Sequence, residues 1–313
     1  MSLHVTFRQL QVFESVARLR SYTRAARELH LTQPAVSMQV KQLEHVLGFV
    51  LFEHLGRRIH LTDAGNIMQR YSRRIAAELH DAEQALEELK GIDGGRLRVA
   101  VVTTVNYFAT RLLAGFCRDH PSVHVSLNVT NRETVIKLLE DNATDIVLMG
   151  QPPDTLNLTA TPFMDNPLVL IAAPTHPLVG RKRVRLDALR EEAFLIREPG
   201  SGTRAAMERF FEDKELAPRT RVEMSSNEAI KQSVEAGLGL GMVSAHTVEL
   251  EVAAGRLAIL DVVSFPIVKR WFVVHHGAKQ LSATARAFID HVIEATRRMG
   301  VTPAPRRRRG GSR

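Results

Sequence analysis

Gln33, Ser37 and Lys41 stand four residues apart on a stretch whose apolar residues, Val36, Val40, Leu43 and Leu47, recur at helical spacing. A helix so patterned buries one stripe and offers the opposite face, on which Pro34, Ala35 and Met38 are interleaved. A glutamine amide pairs with a base edge, a short serine lets a flat surface come close, and a lysine meets a phosphate. A second set of polar groups gathers where strand-like runs end: Thr103, Thr104 and Asn106 after "LRVAVV", and Thr130 and Asn131 after "HVSLNV". A third is the turn "REPGSGTR", where Ser201 and Gly202 lead into a helix starting near Thr203, with Arg197 and Arg204 on either side. "SSNEAIK" places Asn227 at another helix start, with Ser225 and Glu228 spaced as a capping box. Free N–H groups at helix starts, hydroxyls and arginines suit a carboxylate or a phosphate.

The first set needs a small helical scaffold, and the chain supplies one. Phe7, Leu10, Phe13, Val16 and Ala17 give one apolar face, and Ser21 or Thr23 caps a helix that carries Ala25, Ala26 and Leu29 inward. Thr32 caps the next helix, with Pro34 in its first turn, where a missing N–H costs nothing. "GFVLFEHLGRRIHLTDAG" then reads as a helix stop and a two-stranded wing with Gly56 at its tip. This is the layout of a helix-turn-helix, whose second helix enters the major groove of DNA. The residues assigned to DNA are Ser21, Thr23, Thr32, Gln33, Pro34, Ala35, Ser37, Met38 and Lys41, with Arg57 and Arg58 of the wing on phosphates or in the minor groove.

A long helix follows, capped by Thr62 or Asp63, in which Ala64, Met68, Tyr71, Ile75, Leu79, Ala82, Leu86 and Leu89 form a narrow seam. About 27 residues span roughly 40 Å, and a seam of that length pairs with a second helix. "GIDGG", 91–95, is a hinge by composition. From Leu97 onward short strands alternate with helices, among them "DIVLMG", "PLVLIAAP", "LGLGMVS" and "KRWFVVHH", which predicts two lobes of mostly parallel α/β structure. Ligands of such sheets sit beyond the carboxyl ends of the strands.

Composition narrows the classes. The chain has 313 residues, 44% hydrophobic and 24% charged, as in a globular protein. No apolar run suggests a membrane span or an export signal, which predicts a cytoplasmic protein without a membrane partner. A single cysteine, Cys117, excludes an intrachain disulfide, and its place beside Phe116 predicts burial. The net charge is +8, but the tail holds Arg306 to Arg309 and Arg313, and without them +3 remains. Residues 1–60 carry eight Arg or Lys against four Glu, so the head is basic. "GLGLG", 237–241, follows a helix and precedes a strand, the reverse of a dinucleotide loop. His275 and His276 point to opposite faces of a strand. No catalytic constellation, metal site or cofactor motif is found. An enzyme needs such a constellation and a solute-binding protein needs an export signal, which leaves a regulator.

The run "FxxVAxxxSYTRAARELHLTQPAVSMQVKQLEHVLGFVLFE…RRIHLTDAG" resembles the winged helix-turn-helix of LysR-type transcriptional regulators, departing from it at His54, where many members carry Arg. The resemblance extends over about 295 residues. It implies an α/β protein with an all-α-plus-wing head: a winged helix-turn-helix at 1–62, a linker (dimerisation) helix at 63–92, and an effector-binding domain at 93–300 like the type II periplasmic binding proteins. Lobe I is 95–165 and 267–300, lobe II is 166–266, and 301–313 is a disordered basic tail. "SLHVTFRQLQVFE", "REPGSGTR" and "SNEAIKQSVEAGLGLGMVS" look most like regulators of the Calvin-cycle (RuBisCO) operon. That resemblance implies double-stranded operator DNA, RNA polymerase and further copies of the chain, as a dimer of dimers, for partners. It also implies a small anionic effector such as ribulose bisphosphate, phosphoglycolate or phosphoenolpyruvate. The alternative within the family is a regulator of another operon that senses a non-phosphorylated carboxylate. The effector is expected to touch Thr103, Thr104, Asn106, Thr130, Asn131, Arg197, Ser201, Gly202, Thr203, Arg204 and Asn227, closing the lobes about hinges near Asn166 and Pro266.

Overall fold

The computed structural model describes residues 4–55, 58–89 and 95–298. Arg57, the hinge at 91–95 apart from Gly95, and the tail 301–313 lie outside the described residues, and Arg58 and His54 are described only as backbone. Two compact units emerge: residues 1–91 with 140–143, and residues 92–139 with 144–313.

In the first unit α1 (Phe7–Leu19), α2 (Tyr22–Glu28) and α3 (Gln33–Leu47) are each opened by a hydroxyl cap. Thr6 and Gln9 form a reciprocal capping box, Ser21 accepts from the Arg24 N–H, and Thr32 accepts from the Ala35 N–H. The three helices close on Val12, Phe13, Val16, Ala25, Val36, Val40 and Leu43, none with measurable exposure. After α3, Glu44 Oε1 accepts the Leu51 N–H at 2.8 Å, pinning the descending chain to the helix it has just left. Strands β1 (Phe52–Leu55) and β2 (Arg58–Leu61) pair antiparallel as the wing, and Phe52 sits 5.3 Å from the Phe13 ring. α4 (Asp63–Leu89) then begins against Leu51 so closely that a Cβ at Gly65 would lie 2.1 Å from the Leu51 carbonyl oxygen. Only glycine fits there. Beyond this anchorage the seam is uncovered: Ile67, Tyr71, Ile75, Leu79 and Leu86 are all exposed in the single chain.

The second unit has one continuous sheet, ordered β4-β3-β5-β11-β6-β9-β7-β8. β3 (Arg96–Val102) runs parallel to β4 (His124–Thr130) and β5 (Ile146–Met149), with α5 (Asn106–Asp119) and α6 (Arg132–Glu140) as crossovers. β7 (Ala193–Arg197) likewise runs parallel to β8 (Arg219–Met224) and β9 (Leu240–Ser244), joined by α7 (Gly202–Glu212) and α8 (Asn227–Glu235). Each half is covered on both faces. Leu97, Val99 and Val101 face Leu112, Phe116 and Phe288, while Ala100 and Val147 face Val135 and Leu139. Leu170, Phe194 and Met242 form one core of the other half, and Ile171, Leu195, Ile230 and Val234 its second.

The halves are joined by a long antiparallel ribbon, β6 (Leu158–Ala172) with β11 (Ile267–His276), paired from His276↔Leu158 to Ile267↔Leu168. The sequence predicts only the last part of β6, because Pro162, Pro167 and the Asp165–Asn166 pair before the second proline do not look like a strand. α9 (Glu249–Ala253), β10 (Ala258–Ile259) and α10 (Ala283–Arg298) complete the unit. Cys117 is exposed, contrary to the sequence expectation: on α5 the buried face is Phe108, Ala109, Leu112, Leu113 and Phe116, and Cys117 lies just past its edge. The cap of α8 is Ser226, not Ser225, so the expected box with Glu228 does not form.

Candidate DNA-binding face and ligand cleft

On α3 Val36, Val40 and Leu43 are buried, Leu47 packs partly against the same core, and Gln33, Pro34, Met38 and Lys41 are turned outward. Gln33, Pro34, Met38 and Lys41 are exposed and Ser37 half-buried, and these five line one shallow concavity with Gln9, Gln42, His45 and Val46. Lys41 has no acidic partner among the described residues, so its charge is free for a phosphate. Ser21 and Thr32 are caps whose hydroxyls also remain near the surface, and Thr23 and Ala35 lie on the same N-terminal ends of α2 and α3. The turn between these helices passes through His30 at φ 54°. Behind the face, Tyr22 packs edge-on to Phe52, and burial, followed by the charge of Glu44, pushes its hydroxyl up to about 12. The face is held by a rigid core and carries neutral amides, hydroxyls and one lysine.

The second unit contains a cleft of about 400 Å³ at the ribbon, between its two halves. Thr103, Thr104 and Asn131 line it from the strand ends of the first half, and Arg197, Ser201, Gly202 and Thr203 from the second. Gly200 takes φ 84°, the left-handed conformation that lets the chain turn from β7 into α7, and the Ser201 N–H closes the turn on the Glu198 carbonyl at 3.2 Å. Ser201 is the N-cap of α7, yet its hydroxyl makes no capping bond, so the helix N-terminus opens on the cleft with its N–H groups unspent. Asn131 caps α6 by accepting the Thr134 N–H at 2.9 Å.

Five cations line the same cavity, Arg132, Arg197, Arg209, Lys269 and Arg270, against one carboxylate, Glu198. The carboxylate is already committed, because Arg197 grips both its oxygens at 2.7 and 2.8 Å and turns its third nitrogen to the Asn227 amide oxygen. Arg132 donates to the Gln151 carbonyl at 2.6 Å, and burial lowers its pKa. Arg270 faces Asp165 at 3.8 Å. Lys269 and Arg209 have no acidic partner among the described residues. The chemistry of this lining is complementary to an anion with several oxygens.

Two family models match the chain: "Bacterial regulatory helix-turn-helix protein, lysR family" over residues 7–66 and "LysR substrate binding domain" over residues 90–297. The chain belongs to the LysR family. Among its relatives, the RuBisCO operon transcriptional regulator of Allochromatium vinosum is 52% identical over 297 residues, covering 95% of this chain and 98% of that one. The regulatory domain of CcmR from Synechocystis PCC6803, solved in complex with 2-PG, is 43% identical and covers 66% of this chain and 99% of its own, with a TM-score of 0.63. The full-length LysR family regulator CbnR, solved with its target DNA, is 24% identical and shares the fold over 94% of this chain and 100% of its own, with a TM-score of 0.68. Like its LysR relatives, the chain is a transcriptional regulator and not an enzyme.

Four residues that the sequence assigned to the effector do not line the LysR-type cleft. Arg204 turns away to Glu208 at 2.7 Å, Glu223 and the Arg197 carbonyl. Thr130 lends its backbone carbonyl to the Thr103 N–H, and Asn106 begins α5 without reaching the cavity wall. Asn227 is buried behind the wall, where it bonds Arg197 and reaches across to Thr104 Oγ1 at 3.2 Å, linking the two halves. In turn, the sequence missed Arg132, Gln151, Asn166, Arg209, Lys269, Arg270 and Trp271. The one available signal was "KRWFVVHH", a strand that opens with two cations and an indole. No helix among the described residues is long and apolar enough to cross a membrane.

Proposed function

We propose that this LysR-type protein controls transcription of a carbon-fixation (RuBisCO) operon and does so in response to a small phosphorylated metabolite. The observation that carries the effector class is the cleft: beyond the Arg197–Glu198 pair four more cations line it, Lys269 and Arg209 among them without an acidic partner among the described residues, facing an open helix N-terminus with Ser201, Gly202 and Thr203. The operon is supported by relatives named as RuBisCO operon regulators at 44–52% identity over nearly the whole chain. A phosphate ester is supported by the 2-PG complex of the CcmR domain.

On this account α3 enters the major groove, with Gln33, Ser37 and Lys41 toward the bases and backbone, and Arg57 and Arg58 of the wing on phosphates. The apolar seam of α4 pairs two chains, dimers associate again into a tetramer, and RNA polymerase is the downstream partner. Effector binding draws the halves together about Asn166 and Pro266 and acts through its preference for one arrangement. Calorimetry with ribulose bisphosphate, phosphoglycolate and phosphoenolpyruvate tests the effector class. At least one binds at micromolar to submillimolar concentration; failure of all three at millimolar concentration removes the phosphorylated-effector assignment.

A further inference from the structure

Two buried polar atoms on the ribbon, Trp271 Nε1 and Asn166 Oδ1, have no hydrogen-bond partner among the described residues. The two residues are 4% and 6% exposed, and both line the cleft. The β6–β11 register places Asn166 opposite Lys269, and Met164 opposite Trp271, so Asn166, Lys269 and Trp271 share one face of the ribbon. The indole is fixed in place by the Phe108 ring at 6.1 Å and by Gly150, where a Cβ would stand 3.9 Å from it. A buried donor and a buried acceptor left unpaired are each costly, and native interiors contain few of them. Here the two lie diagonally across the ribbon, two residues out of register on the same face, on the wall of a ligand cavity.

Their chemistry selects one kind of partner. Indole N–H only donates, and the asparagine carbonyl only accepts. An ionised phosphate or carboxylate oxygen accepts from Trp271 but sets its lone pairs against the Asn166 carbonyl. An alcohol hydroxyl accepts from one and donates to the other. The anionic end of the ligand is already served at Thr103, Ser201 and Thr203 and by Lys269 and Arg209.

We infer that Trp271 and Asn166 read a hydroxyl group of the effector, so that the cleft prefers a phosphorylated hydroxy acid or sugar over a phosphorylated acid lacking the hydroxyl. This rests on the anionic-effector assignment above and adds a specificity determinant to it. The matched probes are 3-phosphoglycerate and its 2-deoxy analogue, 3-phosphonooxypropanoate, titrated calorimetrically into the full-length protein. Wild type binds the hydroxylated compound about tenfold more tightly, the worth of one well-placed hydrogen bond. Trp271→Phe and Asn166→Ala each bring the two affinities to within about twofold of one another, while Thr103→Val weakens both compounds alike. Should Trp271→Phe fail to fold, the wild-type ratio and Asn166→Ala decide alone. Equal binding of the two compounds by wild type, or a preference that persists in both variants, overturns the hydroxyl contact and leaves the anion assignment standing. Binding of neither compound also overturns the hydroxyl contact, and the anion assignment is then decided by the three metabolites named above.

Discussion

Ile75→Glu tests the linker seam, and its magnitude follows from exposure. Ile67, Tyr71, Ile75, Leu79 and Leu86 are between 44% and 59% exposed in the single chain, spaced so as to form one stripe along α4. Fully burying an aliphatic side chain contributes about 1.5–3 kcal/mol, so covering the exposed half contributes roughly 1 kcal/mol each. A symmetric pair buries ten such side chains, for a gross gain of roughly 10 kcal/mol, set against an association cost of about 4 kcal/mol or more. For the proposed pairing this leaves a surplus of about 6 kcal/mol at most. The glutamate removes roughly 1 kcal/mol from each helix and adds a carboxylate whose desolvation costs several kcal/mol if it stays dry. Even if water reaches it and the added cost is only about 1 kcal/mol, the symmetric loss totals about 4 kcal/mol, roughly a thousandfold in the dimer dissociation constant. Because Ile75 is exposed in the single chain, the fold survives. Light scattering at micromolar concentration should show a smaller assembly, with unchanged helical circular dichroism and weakened binding to a two-site operator. Unchanged mass and operator affinity would mean that the helix does not pair along this stripe.

The recognition face and the cleft give further tests. Ser37→Glu sets a carboxylate against the phosphate-lined groove and should abolish specific operator binding in gel shifts, while the melting temperature stays the same. Lys41→Ala should lower the log–log salt slope by about 0.9, so that the loss of affinity between 50 and 200 mM salt shrinks by roughly 3.5-fold. Thr103→Val and Ser201→Ala each remove a hydroxyl from the anion end of the cleft and should weaken binding of a phosphorylated effector roughly tenfold or more by calorimetry. Asp145 is buried beside Arg98 at 2.7 Å and the buried Lys279 at 3.1 Å. Burial alone would raise its pKa, but the bonds to Arg98 and the charges of Arg98 and Lys279 outweigh it and hold the carboxyl below its ordinary value. Its stabilisation is thus complete above the ordinary carboxylate pKa and is lost as pH falls through the depressed one. Asp145→Asn should cost about 3–5 kcal/mol at neutral pH and flatten the acid limb of the melting profile.

What the sequence made legible divides by range. The helix-turn-helix is local: Thr32, Pro34 and the Val36–Val40–Leu43 spacing are enough to orient α3, and Ser21 or Thr23 marks the start of α2, for which the structure uses Ser21. The strand exits at Thr103 and Ser201 were legible for the same reason, since each follows its own apolar run directly. The ribbon was not. Its pairing joins residues about a hundred positions apart, and the first half of β6 mixes threonines with apolar residues and contains Pro162, so Asn166 and Trp271 could not be seen to share a face. Arg197 and Arg204 looked interchangeable in "REPGSGTR"; β7 buries the first, while the first turn of α7 swings the second toward Glu208 and Glu223.

If the proposed function holds, binding of a phosphorylated metabolite in the cleft changes how this protein occupies its operator. A footprint of the purified full-length protein on the DNA upstream of the carbon-fixation operon, with and without ribulose bisphosphate, phosphoglycolate and phosphoenolpyruvate, tests it most directly. Sequence-specific protection should survive competitor DNA, with boundaries or affinity that shift on adding at least one of the three and do not shift in Thr103→Val at the same concentration. No specific protection, or a pattern identical with and without every one of them, would contradict it.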